Sequence, residues 1–172
     1  MNEREKAAPP PATVRVAVIT VSDTRTPADD EGGAKLRALL TTSGFAVTYA
    51  AIVKDDPAEL RAAIAKVCDE DLADAAITTG GTGIAPRDQT YEAIDELLEK
   101  RLDGFGEAFR RLSWDDIGPR AVLSRAVAGT HRGRLVVALP GSPKALALAV
   151  ERILAPILSH AVSLASGKKH GH

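Results

Sequence analysis

The chain reads as a single α/β domain, a mostly parallel sheet covered by helices on both faces, and three observations predict it. Runs of strand length rich in β-branched residues alternate with segments of helical spacing, in the order β-α-β-α-β-α. The strand runs are apolar throughout rather than alternating, as befits strands buried on both faces of a parallel sheet. The length, 172 residues, suits one domain that buries roughly two thirds of its unfolded surface. Only six residues are aromatic while 30 are alanine, so the core is built from small aliphatic groups that let helices sit close to the sheet.

The elements follow in order. Val14 to Val21 is the first strand, and Glu31 to Ser43 is a helix that places Leu36, Leu39 and Leu40 on one face, stopped by Gly44. Phe45 to Val53 is the second strand. Pro57 to Glu70 is the second helix, with Leu60, Ala63, Ile64, Val67 and Cys68 on its buried face. Cys68 is thus a small core residue, and as the single cysteine it excludes an internal disulfide and a cysteine-rich zinc site. Ala75 to Thr79 is a short third strand, followed by a glycine loop and a helix from about Thr90 carrying Ile94, Leu97, Leu98 and Leu102. A second half starts near Ser113. Leu123 to Ala128 and Arg134 to Leu139 pair as a hairpin around Gly129 to Gly133. The last helix starts at Ser142, and Pro156 bends it or ends its regular part. The domain spans 14–166, between tails at 1–13 and 167–172; the charged, proline-rich start and the Lys-His-Gly end offer little to bury.

Charge and hydropathy exclude several classes. The 22 basic and 23 acidic residues give a net charge of −1, with no basic excess to favour nucleic acid or an acidic membrane. No run reads as the ~20 apolar residues of a membrane span, and the N-terminus has no signal-peptide core, so the expected compartment is the cytoplasm. His131 and His160 have no partner at ligand spacing, and neither Ser22 nor Ser142 has a histidine to form a nucleophilic arrangement.

In a parallel sheet with right-handed crossovers, the loops after the strands share one edge, where such folds bind ligands. Four segments therefore carry the chemistry. Thr78-Thr79-Gly80-Gly81-Thr82-Gly83 lies between a strand and a helix, and its N–H groups and hydroxyls suit phosphate oxygens, although it matches neither common nucleotide fingerprint. Asp88 follows these glycines and either caps the next helix or holds a cation beside a bound phosphate. In Lys54-Asp55-Asp56-Pro57, Asp56 is the N-cap with proline at N1, which leaves Asp55 spare to pair with Asp88 around Mg²⁺. Ser22-Asp23-Thr24 supplies small polar groups or forms a Ser/Thr turn. In Leu139-Pro140-Gly141-Ser142-Pro143-Lys144, Ser142 caps the last helix. Lys144 in its first turn opposes the helix dipole, which a bound anion explains more simply than solvent exposure. Glycine loops, hydroxyls, acids and one lysine suit phosphate positioning, with Mg²⁺ neutralising charge.

Taken with Gly104-Phe105-Gly106-Glu107 and Leu123-Ser124-Arg125, these segments resemble the single-domain MoaB/Mog family of molybdenum-cofactor biosynthesis from about Arg15 to Leu158. Ile84 to Tyr91 is more similar to the MoaB branch. The resemblance implies a Rossmann-like α/β/α fold that assembles as a hexamer, a dimer of trimers, in preference to a trimer. It implies Mg²⁺-dependent adenylyl transfer from ATP to molybdopterin, giving adenylylated molybdopterin and pyrophosphate, with other proteins of the same biosynthesis as possible partners. The branch similarity implies as an alternative a non-catalytic molybdopterin-binding or scaffolding role. The family's two essential acids fall on Asp55 and Asp88, both as catalytic residues and as Mg²⁺ ligands. Phosphate and pterin binding fall on Ser22, Asp23, Thr79, Gly80, Gly81, Thr82, Gly83, Gly141, Ser142 and Lys144, and less directly on Glu107, Ser124 and Arg125.

Overall fold

The structure is a computed structural model, described here for residues 13–167; apart from residues 13 and 167, the expected tails at 1–13 and 167–172 lie outside it. Among the described residues six strands form one sheet in the order β2-β1-β3-β6-β5-β4. Strands β1 (Arg15–Val21), β2 (Ala46–Val53), β3 (Ala75–Thr79) and β6 (Arg134–Leu139) are mutually parallel. β5 (Val127–His131) runs antiparallel to β6, and the two-residue β4 (Lys100–Arg101) runs antiparallel to β5.

One face of the sheet is covered by α1 (Glu31–Thr42), α4 (Asp103–Ile117) and a long C-terminal helical run. They bury Leu36, Leu40, Phe109, Leu146 and Leu154 against Val16, Val18, Ile77, Val137 and Leu139. The other face is covered by α2 (Pro57–Asp69) and α3 (Thr90–Asp95), which pack Leu60, Ile64, Val67 and Ile94 on Ile19, Val21 and Val136. Cys68 belongs to this second layer, and burial pushes its thiol pKa up. The fold is the three-layer α/β class that the strand and helix order predicts.

Several expectations need correction. The helix from Thr90 stops at Asp95 instead of running to Leu102. Leu97 and Leu98 still pack on the α2/α3 layer, and their apolar spacing mimicked a longer helix. Glu99 and Leu102 instead use their N–H groups on Thr130 and Ala128 of β5, which makes the edge strand β4. The second half does not begin near Ser113, because that residue is buried in the middle of α4, its hydroxyl donating back to the Phe109 carbonyl at 2.7 Å. Leu123 to Ala128 is not a strand throughout: Gly118–Leu123 is a 3-10 turn and pairing starts at Val127. The hairpin then closes at the end of the expected Gly129 to Gly133 segment, through Arg132 and Gly133 at φ 49° and 74°, because Gly129 to His131 belong to β5.

The last helix loses its regular α geometry just before Pro156, as that proline predicts, while the helical run itself continues past it. α5 (Pro143–Ala149) runs through a π-helical turn, Val150–Leu154, into α6 (Ala155–Ala165), with Pro156 in the first turn of α6. A widened turn just before a proline accommodates its missing N–H. The combined run Pro143–Ala165 has 23 residues and a mean hydropathy of 1.6 over its most apolar stretch, enough by length and composition to cross a membrane. The expectation that no such run exists is therefore corrected. In this fold Leu146, Ala149, Val150, Ile153, Leu154 and Leu158 of that run are buried in the domain core.

Candidate functional site

The ends of β1, β2, β3 and β6 bring their following loops together at one edge, and backbone hydrogen bonds tie them. Ser22 donates its N–H to the Val53 carbonyl at 2.8 Å, and Gly80 donates to the Leu139 carbonyl at 3.0 Å. The Thr79 hydroxyl donates to the Pro140 carbonyl at 3.3 Å. Gly141 lies close enough to Gly80 that a methyl on it would touch the Gly80 Cα at 3.7 Å. The loops after β3 and β6 therefore form one continuous wall.

Asp55 and Asp88 both lean on the glycine loop. A methyl on Gly81 would lie 2.9 Å from Oδ2 of Asp55, and one on Gly83 would lie 2.6 Å from Oδ2 of Asp88. Asp55 is not spare in the hydrogen-bond sense. Its Oδ1 accepts the Gln89 N–H at 3.2 Å, and its own N–H donates to Oδ1 of Asp23 at 3.0 Å. Asp88 does not cap α3, whose N-cap is Gln89 without a side-chain bond; its Oδ2 accepts the Ala85 N–H at 3.1 Å inside the loop. Asp56 caps α2 through the N–H groups of Ala58 and Glu59, as its place before Pro57 predicts.

Burial raises the Asp55 pKa, and the negative charges of Asp88 and Asp23 push the same way. The Gln89 N–H and the Arg87 charge act against them. A carboxylate raised in the folded state contributes stability below its unfolded pKa, and that contribution is lost as pH rises through the folded value. Ionising Asp55 therefore costs the folded protein more than the unfolded chain. Asp55→Asn, whose amide oxygen still accepts from Gln89, is expected to raise the melting temperature at pH 7 to 8 and to lose that advantage as the pH falls to 4. Parallel thermal melts at the two pH values check this.

The remaining expected residues divide. Thr82 and Gly83 are held from behind by Arg125, which donates Nε to the Thr82 carbonyl at 3.3 Å and Nη2 to the Gly83 carbonyl, and pairs with Glu92. Its guanidinium also lies 5.0 Å from the Tyr91 ring centre. Arg125 thus braces the loop from behind. Ser22 forms a Ser/Thr turn, its hydroxyl accepting the N–H groups of Thr24 and Arg25 at 3.3 and 3.1 Å. Ser142 caps α5 by accepting the Ala145 N–H at 3.3 Å, and Lys144 stands exposed in the first turn of that helix. The Ser124 hydroxyl is buried without a hydrogen-bond partner. Glu107 is exposed on α4 and makes no hydrogen bond or ion pair with the loop residues among those described.

Sequence reasoning missed Asp30 and Thr90. Asp30 is 5% exposed; it accepts the Thr20 hydroxyl at 2.8 Å and the Gly33 N–H at 2.9 Å, with Arg37 at 3.7 Å. This seats the start of α1 so that Gly32 faces the Gly141 carbonyl. An acid directly before a helix start was the available signal. Thr90 begins α3 under Gly81, and nothing in its spacing marked it.

These loops define a class: a doubly covered α/β protein with a glycine-rich, acidic edge at the strand ends, the place where such sheets bind ligands. A family model described as a probable molybdopterin binding domain matches residues 17–160. The molybdenum cofactor biosynthesis protein B of Staphylococcus aureus (strain Mu50) is 48% identical over 153 residues, covering 87% of this chain and 90% of that protein. A crystal structure of a molybdenum cofactor biosynthesis protein B superposes with a TM-score of 0.88 at 41% identity, covering 92% of this chain and 99% of the other. The molybdopterin biosynthesis Mog protein of Mycobacterium ulcerans gives a TM-score of 0.79 at 32% identity, over 91% of this chain and 100% of the other. The chain belongs to the MoaB/Mog family of molybdenum cofactor biosynthesis, nearer to its MoaB members.

Proposed function

We propose that the protein transfers the adenylyl group of ATP to molybdopterin, using Mg²⁺. The observation that carries this reading is the placing of two carboxylates, Asp55 and Asp88, from separate loops against one glycine-rich turn. Mg²⁺ is typically held by one or two carboxylates together with substrate phosphates, and this donor set fits that pattern. Asp55 Oδ2 and Asp88 would hold the ion, and its charge would offset that of the polyphosphate. The exposed N–H groups of the glycine loop, rigidified by Arg125 and by the wall from Pro140 to Ser142, orient the phosphates. Lys144, exposed in the first turn of α5, adds positive charge beside the Pro140 to Ser142 segment. An oxygen of the terminal phosphate of molybdopterin then bonds to the α-phosphorus, the bond from that phosphorus to the bridging oxygen breaks, and pyrophosphate leaves. The cytoplasm, where ATP and Mg²⁺ are available, is the compartment this reading assigns.

The test is to mix the protein with molybdopterin, ATP and Mg²⁺ and to separate the products by chromatography. Adenylylated molybdopterin and pyrophosphate in equal amounts are expected. Saturable molybdopterin binding without product, where a known adenylyltransferase turns over, would replace this reading with a binding or scaffolding role.

Self-association belongs to the same proposal, as a hexamer built from two trimers. Trp114, Ile117, Val122 and Leu123 are 49%, 50%, 67% and 56% exposed around the end of α4 and the following turn. A concentration of large apolar groups of this kind is a frequent mark of an interface. Light scattering is expected to give a mass of six chains. A monomeric mass would remove the assembly from the proposal.

A further inference from the structure

Among the described residues, three buried side-chain oxygens lack a hydrogen-bond partner: the hydroxyls of Thr78, Thr90 and Ser124. Thr90 is 1% exposed, so its hydroxyl has given up water without a replacement. Its main chain is fixed, the N–H donating to the Gly81 carbonyl at 3.0 Å. The preceding N–H, of Gln89, is the one that engages Oδ1 of Asp55. A methyl built on Gly81 would lie 2.2 Å from the Thr90 hydroxyl and 2.9 Å from Oδ2 of Asp55. The unpartnered hydroxyl and the uncommitted carboxylate oxygen thus converge over the same glycine. Valine has the same shape as threonine, so packing alone gives no reason for a hydroxyl here.

We propose that Thr90 is a positioning residue for Asp55: its O–H, which bonds to neither carboxylate oxygen in this structure, donates to Oδ2 in the nucleotide-bound state and holds the carboxylate in the orientation that receives a divalent cation. The assignment rests on the reading of this edge as a Mg²⁺-nucleotide site. Groups that orient a metal-binding carboxylate from behind typically change metal affinity by about 10- to 100-fold when removed.

The experiment measures Mn²⁺ binding, by electron paramagnetic resonance of the free ion, in the presence of α,β-methylene-ATP, whose α–β link cannot be cleaved. Wild type, Thr90→Val, Thr90→Ser and Thr90→Ala are compared, with thermal melts as a check on folding. Thr90→Val and Thr90→Ala are expected to bind Mn²⁺ about tenfold more weakly, while Thr90→Ser stays close to wild type. Should valine disturb the helix start, the serine and alanine pair decides alone. Unchanged affinity in both hydroxyl-free variants overturns the assignment, as does a serine variant as weak as alanine, which would trace the effect to the methyl. A wild type that binds Mn²⁺ with the analogue yet forms no adenylylated molybdopterin removes the transfer reading and leaves Thr90 to be judged by the binding series. A wild type that binds no Mn²⁺ with the analogue overturns the assignment together with the cation site.

Discussion

Asp55→Asn and Asp88→Asn should each slow pyrophosphate release from ATP and molybdopterin by roughly a hundredfold or more, the scale of losing one preorganised electrostatic group. Both substitutions keep the local hydrogen bonds. The amide oxygen at 55 can still accept the Gln89 N–H, and that at 88 the Ala85 N–H. The loss therefore follows the charge and not the loop. Titrating Mg²⁺ at saturating ATP should also show a higher concentration needed for half-maximal rate in each variant, since one anionic ligand is gone. The stability of Asp55→Asn should move in the opposite direction to its activity, because the same carboxylate is held against burial and two like charges. A site that strains its own fold to keep a functional charge is a familiar trade between stability and activity. Transfer at the wild-type rate in either variant would remove that acid from the mechanism.

Much of this site is legible in the sequence because its parts are local. Gly80 to Gly83 after a strand, Asp56 before Pro57, and Ser142 before Pro143 each announce a turn or helix start within a few residues, and the parallel order places them on one edge. What escapes is set by distant partners. Arg125 follows Ser124 in a stretch that reads as a strand, yet it reaches back over 42 positions to the Gly83 carbonyl and over 33 to Glu92. Its role as a brace rests on contacts with Thr82, Gly83 and Glu92, on other elements of the fold, which no local pattern encodes. Leu97, Leu98 and Leu102 misled for the converse reason: their spacing is helical, while Glu99 and Leu102 find backbone partners across β5. Tertiary pairing overrode the local period. Thr90 was silent because a buried hydroxyl is recognised only once its surroundings are known.

Gly81→Ala is expected to abolish adenylyl transfer, and Gly80→Ala to cause the larger loss of stability. Both residues hold positive φ, 67° at Gly81 and 99° at Gly80. Any side chain at such a backbone angle costs roughly 1–2 kcal/mol. The further effect depends on what the new methyl meets. At Gly80 it meets the Val21 carbonyl at 2.5 Å, a main-chain atom of a strand paired on both sides, so relief requires moving β1 or the loop. At Gly81 it meets the Thr90 hydroxyl and Asp55, two side chains that can be displaced at less expense to the fold. Displacing them moves the carboxylate away from the position that the loop, Gln89 and Asp23 define for it. Urea unfolding and product formation, measured on both variants, separate the two effects. If Gly81→Ala transferred the adenylyl group at the wild-type rate, the close approach of Asp55 to the glycine loop would have no part in catalysis. The two carboxylates would then act without the contact that brings them together.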